Sequence, residues 1–212
     1  MRVVGGKWRG HPLEAPTGRN VTRPTTDRMR ESIASMVLSA QGLDLSADAV
    51  LDAFAGSGAM GVELLSRGAA RCTFADSDRG AVALVRRNLK AVGAGPGTWH
   101  VTGGDVRRLA VRGLSGAPFS VVFLDPPYAM AAGEVSALVV TLRESGQLGP
   151  AALVVYERSS SAPGLTLPGA RLLRSKEHGI TTVDLLRLDG DPSDPTAGGP
   201  ASEDSAKGNT DE

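Results

Sequence analysis

Two short stretches of this chain place chemically useful side chains at useful spacings. Asp125-Pro126-Pro127-Tyr128 follows the apolar run Phe119 to Leu124, and Asp52-Ala53-Phe54-Ala55-Gly56-Ser57-Gly58 ends another strand-like segment about seventy residues earlier. An amino group on a heteroaromatic ring is a weak nucleophile, because its lone pair is delocalised into the ring. Acceptors at both of its N–H bonds favour a pyramidal nitrogen and aim the lone pair outward. Asp125 Oδ and the Pro126 carbonyl can be those acceptors, the prolines fix φ and donate nothing into the site, and Tyr128 can stack on the ring plane.

The earlier stretch supplies a cofactor loop. Gly56-Ser57-Gly58-Ala59-Met60-Gly61 satisfies G-x-G-x-x-G, where glycines let the backbone turn tightly and approach a ligand. That pattern alone fits a nicotinamide oxidoreductase equally well. Asp52 shifts the reading: a carboxylate at the strand end can accept from an ammonium group, whereas a dinucleotide fold offers a bare helix N-terminus to a pyrophosphate. Phe54 and Ala55 form an apolar shoulder beside it. Asp76, twenty residues after Gly56, can take both hydroxyls of a ribose, while Asp78 suits the N-cap of the next helix. Asp105 can accept from an adenine amino group with Val106 against the ring, or be an ordinary N-cap. The set describes a pocket for S-adenosyl-L-methionine beside one for a planar exocyclic amine. Methyl transfer onto a nitrogen follows, with proximity and alignment supplying most of the rate. No metal is needed, and His11, His100 and His178 lack metal-ligand spacing.

The elements that must hold these residues alternate. Strand-like runs at Ala49–Phe54, Arg71–Ala75, Thr98–Thr102, Phe119–Leu124 and Ala151–Tyr156 are separated by helical periods at Ala59–Arg67, Arg79–Val92, Val106–Arg112 and Glu134–Glu144. This predicts an α/β, Rossmann-like, mostly parallel sheet with helices on both faces. Leu172–Lys176 and Thr181–Leu188 have no room for a crossover helix between them, so they form an antiparallel last pair. A first helix begins at Asp27, capped by Thr25 or Thr26, and ends at Gly42. Cys72, the single cysteine, reads as a buried filler, and Asn88 can pack against the active-site loop.

Charge is unevenly spread. Of the 23 Lys+Arg and 23 Asp+Glu, residues 189–212 hold seven acids and one base, Lys207, which leaves 22 bases against 16 acids, a balance of +6, in residues 1–188. We therefore divide the chain into a basic N-terminal arm (1–26), a catalytic body (27–188) and a disordered acidic tail (189–212). A basic body fits a polyanionic partner. In the arm, Arg2, Lys7, Arg9 and Arg23 can hold phosphates while Trp8 stacks on a base, or Trp8 packs on the core. Arg28 and Arg30 lie two apart on the first helix, so one of them faces the active site; Arg28 can instead pair with Glu31. No run of about 20 apolar residues spans a bilayer, and no signal-peptide core opens the chain, which points to the cytoplasm and to no membrane partner.

Arg2-Val3-Val4-Gly5-Gly6-Lys7-Trp8-Arg9-Gly10, Arg23-Pro24-Thr25-Thr26-Asp27-Arg28-Met29-Arg30-Glu31, Leu51 to Gly58 and Asp125 to Tyr128 together resemble the bacterial 16S rRNA guanine-N2 methyltransferase family, the RsmD type. The resemblance spans about residues 2–188. It implies a seven-stranded class I methyltransferase fold, with Asp52, Asp76 and Asp105 on the cofactor and Asp125 and Tyr128 at the base. The implied target is the exocyclic N2 of a guanine in the helix-31 loop, nucleotide 966 in the usual count, within the 30S subunit or an assembly intermediate. A monomer is the default state. Asp76 stands where relatives often carry Glu. An adenine-N6 nucleic-acid methyltransferase is the nearest competing reading, although no segment is free for a target-recognition domain. A non-catalytic RNA-binding module with a retained nucleoside pocket is the other.

Overall fold

The structure, a computed structural model, describes residues 1–16 and 26–189. Arg23, Thr25 and nearly all of the acidic tail therefore lie outside the described residues. Seven strands form one sheet in the order β3-β2-β1-β4-β5-β7-β6. They are β1 (Ala49–Asp52), β2 (Arg71–Asp76), β3 (Trp99–Gly103), β4 (Phe119–Leu124), β5 (Leu148–Ser159), β6 (Ala170–His178) and β7 (Thr181–Leu188). The first five pair in parallel. β7 then inserts antiparallel between β5 and β6, and Gly179 and Ile180 make the tight turn expected there, with Gly179 at φ 68°.

Helices cover both faces, which is why β1 and β4 read as continuous apolar runs rather than alternating ones. Helices α1 (Asp27–Ala40), α2 (Ala59–Ser66) and α3 (Arg79–Ala91) pack one face through residues such as Ile33, Leu64 and Leu89. Helices α4 (Val106–Arg112) and α5 (Ala132–Glu144) pack the other through Ala110, Leu138 and Leu142. Thr26 Oγ1 accepts the Met29 N–H at 3.3 Å to cap α1, and Asp78 caps α3 by accepting from Gly80 and Ala81. Cys72 is fully buried.

Several boundaries differ from the sequence expectation by one to three residues; β1, for instance, ends at Asp52 and not Phe54, and three of the shifts have a visible cause. β5 begins at Leu148, because Leu148 pairs with Phe119 before a register shift in this strand pair; Gly149 and Pro150 hide that from any periodicity count. β6 begins at Ala170, lengthened by its pairing along β7. α5 starts two residues early because Glu134 reaches back to accept the Ala131 N–H at 3.1 Å.

Residues 1–16 pack into the body instead of standing off as a solvated arm. Val3 and Leu13 are buried in the core, and Arg2 and Pro12 form an isolated antiparallel bridge. The anchor is Glu63 of α2, a fully buried carboxylate. It accepts the N–H groups of Val4 and Gly5, each at 2.8 Å, and Arg67 Nε at 2.8 Å. Ser66 Oγ accepts the Trp8 N–H at 2.9 Å and donates to the Gly5 carbonyl at 2.6 Å. Gly6 runs so close to α2 that a Cβ there would lie 2.0 Å from the Ser66 carbonyl oxygen. Removing one partner of such a buried charged network typically costs about 3–5 kcal/mol. Glu63→Ala should therefore lower the melting temperature sharply and expose residues 1–16 to limited proteolysis, whereas Glu63→Gln, which keeps one acceptor, should do less; thermal denaturation and a protease time course check this.

Candidate active site

The cleft lies at the carboxyl ends of the parallel strands, where open α/β sheets hold ligands. Its volume is about 610 Å³, within the range of small-molecule sites. Asp52, Phe54, Gly56, Asp76, Asp105, Val106, Asp125, Pro126 and Tyr128 all line it. The structure therefore gathers nearly every expected cofactor and base residue into one cavity.

Asp52 ends β1 and is 1% exposed. Its Oδ2 accepts the Gly61 N–H at 3.0 Å. Burial is the main cause that lifts its carboxyl from the ordinary value near 3.8 to about 7, opposed by the Gly61 hydrogen bond and reinforced by the charges of Asp125 and Asp76. A buried carboxylate with one backbone donor and like-charged neighbours is a site built for a cation. The ammonium of a bound S-adenosylmethionine fits this donor set.

The glycine loop turns through positive φ at Gly56 (53°) and Gly58 (75°), and Gly58 lies behind the cleft wall as the N-cap of α2. Gly61 serves packing: a Cβ there would sit 2.3 Å from Phe74 Cε1 and 2.7 Å from Cys72 Sγ, so only glycine lets α2 press onto β2. Asp76 shapes the same loop. Its Oδ2 accepts the Gly56 N–H and its Oδ1 the Asp78 N–H, each at 2.8 Å. Each oxygen keeps a second lone pair that can face a ribose. Asn88, buried in α3, donates to the Ser57 carbonyl at 2.9 Å and to the Glu14 carbonyl at 3.2 Å, which is the contact with the loop that the sequence suggested.

Asp105 is an N-cap and also lines the cleft. It caps α4 by accepting the Arg107 N–H at 2.9 Å, and its oxygens are gripped by the Arg107 guanidinium at 2.8 and 3.1 Å. That side-chain bond is the main reason its carboxyl sits below the usual range. Its wall position next to buried Val106 remains.

Asp125 follows β4 at the open side of the cleft. The residue is accessible from the cavity, yet the surrounding walls desolvate its carboxyl and push it up to about 6. Tyr128 is 68% exposed, its ring standing at the mouth.

Of the two placements open for Trp8, the arm takes the one on the core. Lys7 and Arg9 are exposed. Trp8 is half-buried against the core, and Lys7 Nζ lies 4.5 Å from its ring centroid, so the ring is a packing residue with a covered face rather than a free stacking platform. Arg2 pairs with Asp27 at 3.3 Å. Arg28 is exposed and makes no ion pair with Glu31 among the described residues. Arg30 is the member of that pair which faces the cleft; it is 1% exposed and donates to Asp27 Oδ1 and to the Arg2 carbonyl, each at 2.7 Å.

Sequence reasoning left Arg30 undecided and missed Glu157 of β5, which also lines the cleft. The available signal was positional: an acid directly after the buried run Ala152–Tyr156 stands at a strand's carboxyl end. Among the described residues, no cluster of His, Cys, Asp or Glu could hold a metal ion.

A sheet of this order, with a glycine loop and acidic wall at its carboxyl edge and Asp-Pro-Pro-Tyr after the fourth strand, defines a class I, S-adenosylmethionine-type methyltransferase. The particular lineage is equally plain: the chain belongs to the RsmD-type family, whose profile, described as Conserved hypothetical protein 95, matches residues 1–187. Ribosomal RNA small subunit methyltransferase D of Escherichia coli (strain K12) is 36% identical over 161 residues, 74% of each chain. The Haemophilus influenzae protein of the same name is 30% identical over 187 residues, 88% of this chain and 93% of its own. Among solved structures, yhhF from Escherichia coli superposes with a TM-score of 0.75 at 31% identity, covering 90% of this chain and 99% of its own.

A carboxyl held at about 7 in the folded state and near 3.8 when unfolded contributes stability that is present below about pH 4 and lost as the pH rises to about 7. Asp52→Asn keeps an acceptor for Gly61 without the charge. It should raise the melting temperature of the cofactor-free protein at pH 8, by several degrees at about 2–4 °C per kcal/mol. That gain should shrink as the pH falls from 7 to 4, while calorimetry should show cofactor affinity largely lost.

Proposed function

We propose that this chain transfers the methyl group of S-adenosylmethionine to the exocyclic N2 of a guanine in 16S rRNA, at nucleotide 966 of the helix-31 loop. The substrate is the 30S subunit or an assembly intermediate, and the enzyme works as a cytoplasmic monomer. The coarser part, methylation of rRNA, is supported by the likeness to the methyltransferase D proteins over 74% and 88% of this chain. The observation that carries the chemistry is that Asp52 and Asp125 line one cleft from the ends of adjoining strands. No helix among the described residues is long and apolar enough to cross a membrane.

When bound, S-adenosylmethionine supplies an electrophilic methyl on a sulfonium. Asp52 holds the ammonium end, the backbone of Gly56 and Ser57 with Asp76 holds the sugar side, and Val106 with Phe54 flanks the adenine, with Asp105 at its amino group. A guanine flipped out of its stack enters over Tyr128. Asp125 and the Pro126 carbonyl accept from its two amine N–H bonds. Once the nitrogen has bonded to carbon it carries an acidic proton, and Asp125, raised to about 6, accepts it more readily than an ordinary carboxylate would. Residues 27–188 form the catalytic body, and the exposed Lys7 and Arg9 of the 1–26 arm hold phosphates.

Asp125→Ala should abolish transfer to 30S particles from cells lacking the modification, by about 100-fold or more, while leaving cofactor affinity within a few fold; turnover near the wild-type rate would refute the assignment. Because Asp125 must be ionised to accept, wild-type kcat/KM should fall as the pH drops below about 6. Lys7→Ala with Arg9→Ala should raise KM for the subunit and flatten its salt dependence by about two charges' worth, with cofactor affinity unchanged.

A further inference from the structure

β4 and β5 run parallel with Leu124 opposite Tyr156, so Asp125, the first residue past β4, comes beside Glu157, which is still within β5 and paired to Val183 of β7. Parallel neighbours lie about 4.8 Å apart. Side chains alternate along a strand. Leu124 and Tyr156 point into the core beneath α4 and α5, and Phe123 and Val155 into the core beneath α1 to α3. Asp125 and Glu157 therefore turn to the α1 face, as does Asp52, which follows Leu51 of the opposite core. Glu157 lines both the main cleft and a recess of about 50 Å³ beyond Asp125 and Tyr128. Its neighbour Arg158 turns away, donating to Asp184 at 2.7 Å and to the Ala162 carbonyl at 2.6 Å.

The chemistry of the base makes this second carboxylate informative. Beside its amine, guanine carries a ring N1–H donor. An adenine presents a bare N1 acceptor next to its amine, and 2-aminopurine keeps the N2 amine but also has a bare N1. A carboxylate is acceptor-only. One at the amine and a second alongside it match two adjacent donors and leave an acceptor facing a charge of the same sign.

We propose that Glu157 selects guanine, its carboxylate accepting the ring N1–H of the flipped base while Asp125 accepts from the N2 amine. This rests on the guanine-N2 reading above and names the group that would enforce it. Asp125 serves the reacting nitrogen; Glu157 touches the base without touching the bond that forms, and determines which base is accepted.

The test uses the full chain and 30S particles reconstituted from ligated 16S rRNA carrying guanine or 2-aminopurine at the target. The wild type should favour guanine by about 10- to 100-fold in kcat/KM, the scale of one good base-edge contact. Glu157→Gln presents an amide that can donate to a bare N1. It should lose about 10-fold or more on guanine and bring the ratio to near one, or invert it, with cofactor affinity and melting temperature close to wild type. Glu157→Asp, shorter but still acidic, should turn over more slowly and keep the guanine preference. A Glu157→Gln enzyme that is slower on both bases by the same factor, or that keeps the wild-type ratio, would overturn the proposal, as would loss of preference in Glu157→Asp. If the wild type methylates neither substrate while binding S-adenosylmethionine, the guanine-N2 reading itself falls, and this inference with it.

Discussion

A carboxylate sealed at the end of a central strand, with one backbone N–H to satisfy it, is an unstable arrangement until a cation arrives. Asp52 is that carboxylate, and the site is organised around it. Its single donor, Gly61, comes from the first turns of α2, so the acid fixes where that helix begins. The helix in turn fixes the glycine loop that starts at Gly56. Burial and neighbouring acids hold Asp52 partly protonated near neutrality, and binding a positively charged cofactor removes both penalties together. Strain of this electrostatic kind belongs at functional sites and is offset by packing elsewhere, here by a sheet whose central strands are buried on both faces.

The same constraint explains why acids appear at the ends of several strands. Asp52 and Asp76 end β1 and β2, Asp125 follows β4, and Glu157 lies near the end of β5, all within one cleft. Such a concentration of negative charge would repel a polyanionic RNA approaching freely. A cation on the cofactor side and base-edge donors on the other make the wall attractive only to a nucleotide already turned outward, with its amine presented. Arg30, held by Asp27 and the Arg2 carbonyl, places a fixed positive charge on the α1 side of the cleft. The acidic wall and the exposed bases Lys7 and Arg9 therefore lie apart: the wall presents acceptors inside the cleft, and the cations stand on the surface.

Much of this was legible in the chain, for identifiable reasons. Strand alternation, the antiparallel hairpin at Gly179, the cap at Asp78 and the glycine loop all follow from local rules that tertiary contacts did not override. Gly61 was legible as the third glycine of that loop, but its packing against Phe74 and Cys72 was not. What stayed hidden depends on contacts between distant parts of the sequence. Glu63 sits in a run of good helix formers and reads as a surface acid; only the arrival of Val4 and Gly5 makes it a buried anchor. Asp105 offered two roles, and Arg107, two residues on, decided toward the cap. Trp8 between two basic residues suggested stacking, but the arm's attachment to α2 lays the indole on the core. Glu157 carried no motif, only its position after an apolar run, and the register of β5 against β4 is what sets it beside Asp125.

Those long-range contacts also join the arm to the chemistry. α2 is bonded at its start to Asp52, in its middle to the Val4–Gly5 backbone through Glu63, and at its end to Trp8 through Ser66. Asn88 closes a second path by bonding both Glu14, from the far end of the arm, and Ser57, from the glycine loop. Arg30 closes a third, from Arg2 to the cleft wall. Residues 1–16 are therefore tied to the glycine loop through a chain of hydrogen bonds rather than through a hinge. Rigid elements are what a transfer reaction of this kind needs, since displacing either reactant by a fraction of an ångström forfeits much of the gain from alignment. The burial of Val3 and Leu13 holds residues 1–16, with the exposed Lys7 and Arg9, in fixed register with the body that carries Asp52 and Asp125.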